Sequence, residues 1–375
     1  MTGLLPEANV ISFARGIPSP DMFPVALLAE SARRAVCDHG RVALNYGPPG
    51  GYEPLREWLG KRHGVAPGRV LVLPGSLIGL NLVVEHLLRP GGRAIVEAPT
   101  YDRMLHTLTA VGADVVTVDR GGDGLDLDRL RDLASGSPRP KLLYVLPTFH
   151  NPTGTSLTLD QRHGLVDVAL EHELLLFEDD AYGLLRIEGD ALPNVAELLR
   201  ARGGDDLAVF SSSFSKSVAP GLRVGYLVVP ERLVEPLEAL ATRTYVSPPL
   251  LPQAQLYDFL AAGHLEPHLD VLRTFLRPRR DTLLDVLAQR MPPGAAWTRP
   301  DGGYFLWLEL PTAIDAADLN RRARDAGVQF VPGEGFFRDD RGRNAARLAF
   351  SYPSVDEILT GAERLTALVR EELDR

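Results

Sequence analysis

Apolar residues fall along this chain in two kinds of block. Short continuous runs at 69–73, 93–97, 114–118, 141–146, 174–178, 207–211 and 224–229 read as strands. Between them, stretches at 77–88, 101–111, 127–133 and 159–172 repeat their apolar positions every three or four residues, as helices do. Strands that are apolar throughout, rather than at every second position, are covered on both faces. Their alternation with helices predicts an α/β fold with a large, mostly parallel sheet flanked by helices. Ahead of it, residues 1–20 read as irregular, broken by Gly16, Pro18 and Pro20. Helices at 25–39 and 53–63 flank a glycine- and proline-rich loop at 45–51. After residue 248 the pattern changes. Helices at 253–262, 266–289, 316–326 and 355–372 mix with strands at 304–309, 329–332 and 346–351, which predicts a smaller α+β domain. The expected division is an N-terminal segment 1–45 serving the small domain, a large domain 46–248 and a small C-terminal domain 249–375.

With 375 residues, two domains are also what core size predicts. The formal net charge of −9 provides no broad basic footprint for nucleic acid. Cys37 is the sole cysteine, so no intrachain disulfide and no cysteine-based metal site can form, and a reducing cytoplasm is expected. The N-terminal residues lack a signal-peptide pattern, and no stretch reaches the ~20 apolar residues that span a membrane. Lysine occurs only at Lys61, Lys141 and Lys216, so lysine-dependent chemistry has three candidates.

Lys216 has the most informative surroundings. Residues 211–226 read S-S-S-F-S-K-S-V-A-P-G-L-R-V-G-Y, directly after an apolar strand. Ligands in α/β folds sit beyond the carboxyl ends of strands. An amine among hydroxyls (Ser213, Ser215, Ser217) and the guanidinium of Arg223 suits an aldehyde cofactor that also carries a phosphate. Composition alone equally allows a surface lysine in a serine-rich loop. The stretch, however, resembles the lysine signature of fold-type I pyridoxal-phosphate enzymes, in the class I/II aminotransferase family. The resemblance implies pyridoxal 5'-phosphate as cofactor, Lys216 as the Schiff-base lysine, and Ser213, Ser215 and Arg223 as phosphate ligands.

Further segments resemble that family in its order. F-H-N-P-T-G at 149–154 implies that Asn151 bonds the cofactor's phenolic oxygen and also meets the substrate. E-D-D-A-Y at 178–182 implies that Asp179 faces the pyridine nitrogen and that Tyr182 joins Asn151. P-G-S-L at 74–77 implies a phosphate loop at Gly75, Ser76 and Leu77. Leu77 replaces a polar side chain there, and its backbone amide still serves. A-P-T-Y at 98–101 implies that Tyr101 stacks on the cofactor ring. N-Y-G-P-P-G at 45–50 implies a homodimer in which Tyr46 reaches the neighbouring subunit's phosphate. A-R-L-A-F-S-Y at 346–352 implies that Arg347 clamps the substrate carboxylate. Segments 302–308 and 331–337 read as scaffold beside the site, and His150 as a packing residue. Taken singly, these are also ordinary turns, caps and sheet-edge residues; their order along nearly the whole chain carries the resemblance.

The implied function is a ping-pong transfer of an amino group between an L-amino acid and a 2-oxo acid. The same residues serve eliminases, decarboxylases, cyclases and oxidases of this fold, so that alternative stays open. A DNA-binding regulator built on the scaffold is disfavoured because no basic recognition helix precedes Tyr46. A nicotinamide dehydrogenase is disfavoured because no G-x-G-x-x-G links a strand to a helix. F-A-R-G-I-P-S-P at 13–20 resembles the family's substrate entrance, which places Gly16 and Arg15 near the substrate. Arg15 suits the distal end of an acidic substrate, whereas nearby Asp21 suits a basic one.

Overall fold

The computed structural model describes residues 10–122 and 124–375. Its large sheet has eight strands, in the order Val70–Leu73, Gly225–Val228, Ala208–Ser213, Leu176–Asp180, Leu142–Val145, Arg93–Ala98, Asp114–Gly121 and Gly124–Leu125. All run parallel except Gly225–Val228 and the short Gly124–Leu125. The continuous apolar runs have the expected cause, because successive residues feed opposite faces. Val70 and Val72 enter one core while Leu71 and Leu73 enter another. Helices Ser76–Leu88, Asp102–Ala110 and Glu231–Tyr245 cover the second face, and Leu127–Ala134, Leu159–Glu171 and Val195–Ala201 the first.

A second, four-stranded antiparallel sheet joins Ala296–Trp297, Phe305–Glu309, Ala345–Ala349 and Val331–Pro332. Helices Leu265–Arg290 and Val355–Leu373 pack on each other beside it. Ser354 and Glu357 close a capping box at the start of the latter.

Several details depart from the sequence pattern. Ile11–Ser12, expected to be irregular, is a strand pairing in parallel with Val328–Gln329. The single strand expected at 329–332 is two, Val328–Gln329 and Val331–Pro332, which pair in different sheets on either side of Phe330. Helices Val195–Ala201 and Glu231–Tyr245 are additions to the predicted set. The first is one short element whose signal is its capping box, Asn194 with Glu197. The second repeats Leu233, Leu237, Leu240 and Ala241 on one face but contains Pro236, a residue that argues against helix.

Beneath the carboxyl ends of the strands, Glu97 and Arg120 form a buried ion pair. Arg120 also donates to the carbonyls of Leu146 and Thr155. Burial works to raise the Glu97 pKa, but the positive Arg120 and the His150 contact prevail and hold it at about 2. Arg120→Met would strand that carboxylate and should cost about 3–5 kcal/mol in urea unfolding. Because the Glu97 pKa is depressed from 4.5, the pair stabilises fully above that pH and loses its effect as pH falls towards 2. The variant's deficit should shrink over the same window.

Candidate active site

A cavity of about 540 Å³ opens where the strands Leu176–Asp180 and Ala208–Ser213 end, between the two sheets. Gly16, Gly75, Ser76, Leu77, Tyr101, Asn151, Asp179, Tyr182, Ser213, Ser215, Lys216, Arg223 and Arg347 all line it. Residues spread over more than three hundred positions thus converge on one space.

Lys216 lies on the turn that follows Ser213. Its Nζ donates to the Gly16 carbonyl at 2.7 Å and lies 5.8 Å from the Tyr182 ring centre. Burial lowers the amine pKa to about 8, and the positive charges of Arg347 and Arg223 act in the same direction. The Asp179 carboxylate faces the cavity because side chains alternate along a strand. Its neighbours Glu178 and Asp180 turn elsewhere, accepting from the backbone N–H groups of Ala196 and Gly183. Asp179 Oδ2 accepts from the Tyr144 phenol at 2.8 Å, while Oδ1 is buried with no partner among the described residues. Burial raises the Asp179 pKa to about 6, against the Tyr144 hydrogen bond that lowers it.

One end of the cavity is built to attract an anion. Helix Ser76–Leu88 begins there, with its first N–H groups free of side-chain caps. Gly75 precedes it at φ 98°, and a Cβ on Gly75 would collide with the Arg223 guanidinium. Arg223 is itself left-handed at φ 52°. It reaches Ser215 Oγ at 3.5 Å and the Pro74 carbonyl at 3.3 Å, while Ser213 Oγ accepts from the Ser215 N–H.

At the opposite side, Arg347 projects from strand Ala345–Ala349. It donates to Asn151 Oδ1 at 2.9 Å and to the Ala14 carbonyl at 3.2 Å, and its Nε is unpartnered. Its guanidinium lies over the Phe305 ring at 4.2 Å, with Phe336 at 5.2 Å. Burial lowers its pKa.

Two expected residues lie outside the cavity. Arg15 stacks on Tyr352 at 5.0 Å, next to Gly16 but not in the lining. Tyr46 is 82% exposed on a separate surface formed with Leu44, Pro248 and Leu250. Conversely, Tyr144, Phe305, Phe336, Asp102 and Arg103 belong to the site without being marked by the sequence motifs. Phe305 and Phe336 fall within segments read only as scaffold. Tyr144 sits mid-strand, where nothing in the pattern separates it from core.

These surroundings give Lys216 a distinctive reactivity. In protein stripped of bound small molecules, its acylation by acetic anhydride should rise with a midpoint near pH 8, well below the 10.5 of an ordinary lysine. Peptide mapping across pH reads it directly, and a midpoint at or above 10 would refute the desolvated environment.

The comparisons with known proteins agree with this geometry. A family model described as aminotransferase class I and II matches residues 8–364. The 2-aminoadipate transaminase of Thermus thermophilus is 36% identical over 362 residues, covering 96% of this chain and 90% of the relative. Aromatic-amino-acid aminotransferase 1 of Thermococcus litoralis is 31% identical over 382 residues, covering 99% and 91%. Among solved structures, an α-aminoadipate aminotransferase from Thermus thermophilus, complexed with N-(5'-phosphopyridoxyl)-L-leucine, matches with a TM-score of 0.93 at 35% identity, over 98% of this chain and 94% of that one. With a family match over nearly its full length, this chain belongs to the class I and II aminotransferases.

Proposed function

We propose that this pyridoxal-phosphate-dependent aminotransferase carries its cofactor on Lys216, holds the ring with Asp179 and clamps the substrate carboxylate with Arg347. The observation that carries the reading is the convergence of a desolvated amine, an unpartnered buried carboxylate oxygen and a half-free guanidinium on one cavity.

The residues fit the cofactor. Asp179 Oδ1 is a buried acceptor in want of a donor, which a protonated ring nitrogen supplies. The helix start at Ser76 and Leu77, with Ser213, Ser215 and Arg223, is a donor set for a phosphate dianion, and the missing Cβ of Gly75 lets the Arg223 guanidinium come up against the helix start. Tyr101, Asn151 and Tyr182 also line the cavity, where Tyr101 would hold the ring face and Asn151 with Tyr182 the phenolic oxygen. Pyridoxal phosphate supplies an aldehyde that condenses with amines and a pyridinium ring that accepts electrons from the substrate α-carbon.

The protein's own part is orientation and proton transfer. Arg347 fixes the α-carboxylate of an L-amino acid or a 2-oxo acid with parallel hydrogen bonds, already aimed by Asn151 and the Phe305 ring. Lys216 Nζ would remove the α-proton of the amino acid and, in the return half-reaction, supply one to the α-carbon of the oxo acid, and a pKa near 8 suits a base working close to neutrality. The two half-reactions alternate in one cavity, hence ping-pong. Homodimerisation is part of the proposal. Exposed Tyr46, Leu44 and Val246 form an apolar surface suited to a second copy, with Tyr46 entering the neighbouring site. A cytoplasmic setting accords with the single free Cys37. No helix among the described residues is long and apolar enough to cross a membrane. Residues 1–45, 46–248 and 249–375 are the proposed structural units; the large sheet lies within 70–228 and the antiparallel one within 296–349.

For the substrate side chain we favour a distal acid near Arg15. Neither charge lines the cavity, but Asp21 already accepts from the Ser19 hydroxyl, whereas Arg15 adjoins the lining residue Gly16.

Lys216→Ala should lower transamination by about 10⁴-fold and abolish the visible absorbance of the lysine-bound cofactor. Retention of both at the wild-type level would sink the assignment. Arg15→Ala should reduce kcat/KM for acidic donors roughly tenfold or more relative to aromatic ones. An unchanged ranking in a donor screen would remove Arg15 from the site.

A further inference from the structure

We infer that Tyr304 is a positioning residue for the reaction, its phenol fixing the main chain of Lys216 relative to the carboxylate clamp. The inference rests on the reading of Lys216 as the cofactor-bearing lysine.

Tyr304 is fully buried immediately before strand Phe305–Glu309 of the antiparallel sheet. Its hydroxyl donates to the Lys216 carbonyl at 2.6 Å. Lys216 sits in a turn, so its carbonyl belongs to no ladder. The backbone bonds that close the turn run from Val218 and Ala219 to the Phe214 carbonyl and leave the Lys216 oxygen aside. The phenol therefore satisfies a group that burial would otherwise strand. It also ties a loop of the large sheet to the other sheet, directly beneath the amine. The ring is held edge-on against Tyr182 at 5.5 Å and 67°. Burial keeps the phenol pKa well above its usual value, so it remains a donor at every working pH.

The next residue adds the second half of the device. Phe305 lies under the Arg347 guanidinium, and strand Phe305–Glu309 pairs with the strand that carries Arg347, Trp307 opposite Arg347 itself. Two consecutive residues, Tyr304 just before the strand and Phe305 at its start, thus set the backbone of the base and the ring beneath the clamp. Packing alone does not require a hydroxyl at 304; a phenyl group fills the same space. What the hydroxyl adds is a fixed distance between the amine and the carboxylate-binding group, and proton transfer depends steeply on such distances.

Tyr304→Phe retains the ring and removes the donor. In the holoenzyme we expect kcat to fall about tenfold while KM for the amino donor stays within about twofold, because the Arg347 clamp persists. The midpoint of the pH titration of the lysine-linked cofactor absorbance should also shift, an effect that loss of fold stability would not produce. Wild-type kcat and an unmoved midpoint, with borohydride reduction and peptide mapping still locating the cofactor on Lys216, would overturn the role of Tyr304. Mapping that finds no cofactor on Lys216 in the wild-type protein would instead overturn the underlying assignment. Should Tyr304→Phe not accumulate as folded protein, fluorotyrosine placed at 304 keeps ring and donor while altering phenol acidity. Then kcat must change with fluorination, and a kcat indifferent to it overturns the proposal.

Discussion

A lysine amine held away from water between two guanidinium groups is the constraint on which this site depends. An ammonium ion there would lose solvation and face the repulsion of Arg347 and Arg223, so its pKa descends to about 8. The carboxylate across the cavity is displaced the other way, to about 6, because burial strips it of water faster than Tyr144 compensates. The two shifts have one origin, burial of both groups at the junction between the sheets. They leave an amine that gives up its proton readily and an acid that wants a cationic partner. A wetter cavity would return Lys216 towards its ordinary basicity and Asp179 towards ordinary acidity.

The sheet's one long reversed strand explains how Ser215, Arg223 and the start of helix Ser76–Leu88 join the lysine. Ser213 pairs with Gly225 across the antiparallel strands Ala208–Ser213 and Gly225–Val228. The chain therefore leaves and re-enters the sheet at one edge of the cavity. The loop between carries Lys216, Ser215 and Arg223 together. Gly225 brings the third element in, since a Cβ there would strike the Ser76 N–H at the start of helix Ser76–Leu88. A parallel return would have carried Arg223 to the far end of the sheet.

What was legible in the sequence follows from locality. Lys216, Ser213, Ser215 and Arg223 act from one short loop, so their spacing survives as a readable string. The strands were legible because burial on both faces leaves them apolar throughout. Tyr144 was not legible, for its hydroxyl matters only where the Leu142–Val145 strand lies beside Asp179. Phe305 and Phe336 look like core residues until Arg347 arrives between them from another strand. Tyr304 is a similar case. Its segment reads as lying near the site, but its partner is a backbone carbonyl 88 residues away, and nothing in either residue announces the pairing. The proline inside Glu231–Tyr245 misleads for a different reason. Local propensity disfavours that helix, whereas burial of its leucine face against the sheet sustains it.

The buried charges under the 146–155 segment show the same economy of position. His150 Nδ1 accepts from both the N–H and the hydroxyl of Thr153, so the ring proton is assigned to Nε2, which faces Glu97 Oε2 at 3.3 Å. Burial lowers the His150 pKa to about 4, and the ring is therefore neutral, a packing and hydrogen-bonding group rather than a base. Glu97 also accepts from the Leu146 N–H, and Arg120 grips both ends of the segment through the carbonyls of Leu146 and Thr155. A buried ion pair is a poor source of stability compared with apolar packing. What it does well is impose direction. Here it confines the turn that carries Asn151, and Asn151 in turn aims Arg347. The charge network thus restrains the Arg347 guanidinium through Asn151, while the Phe305 ring lies against it.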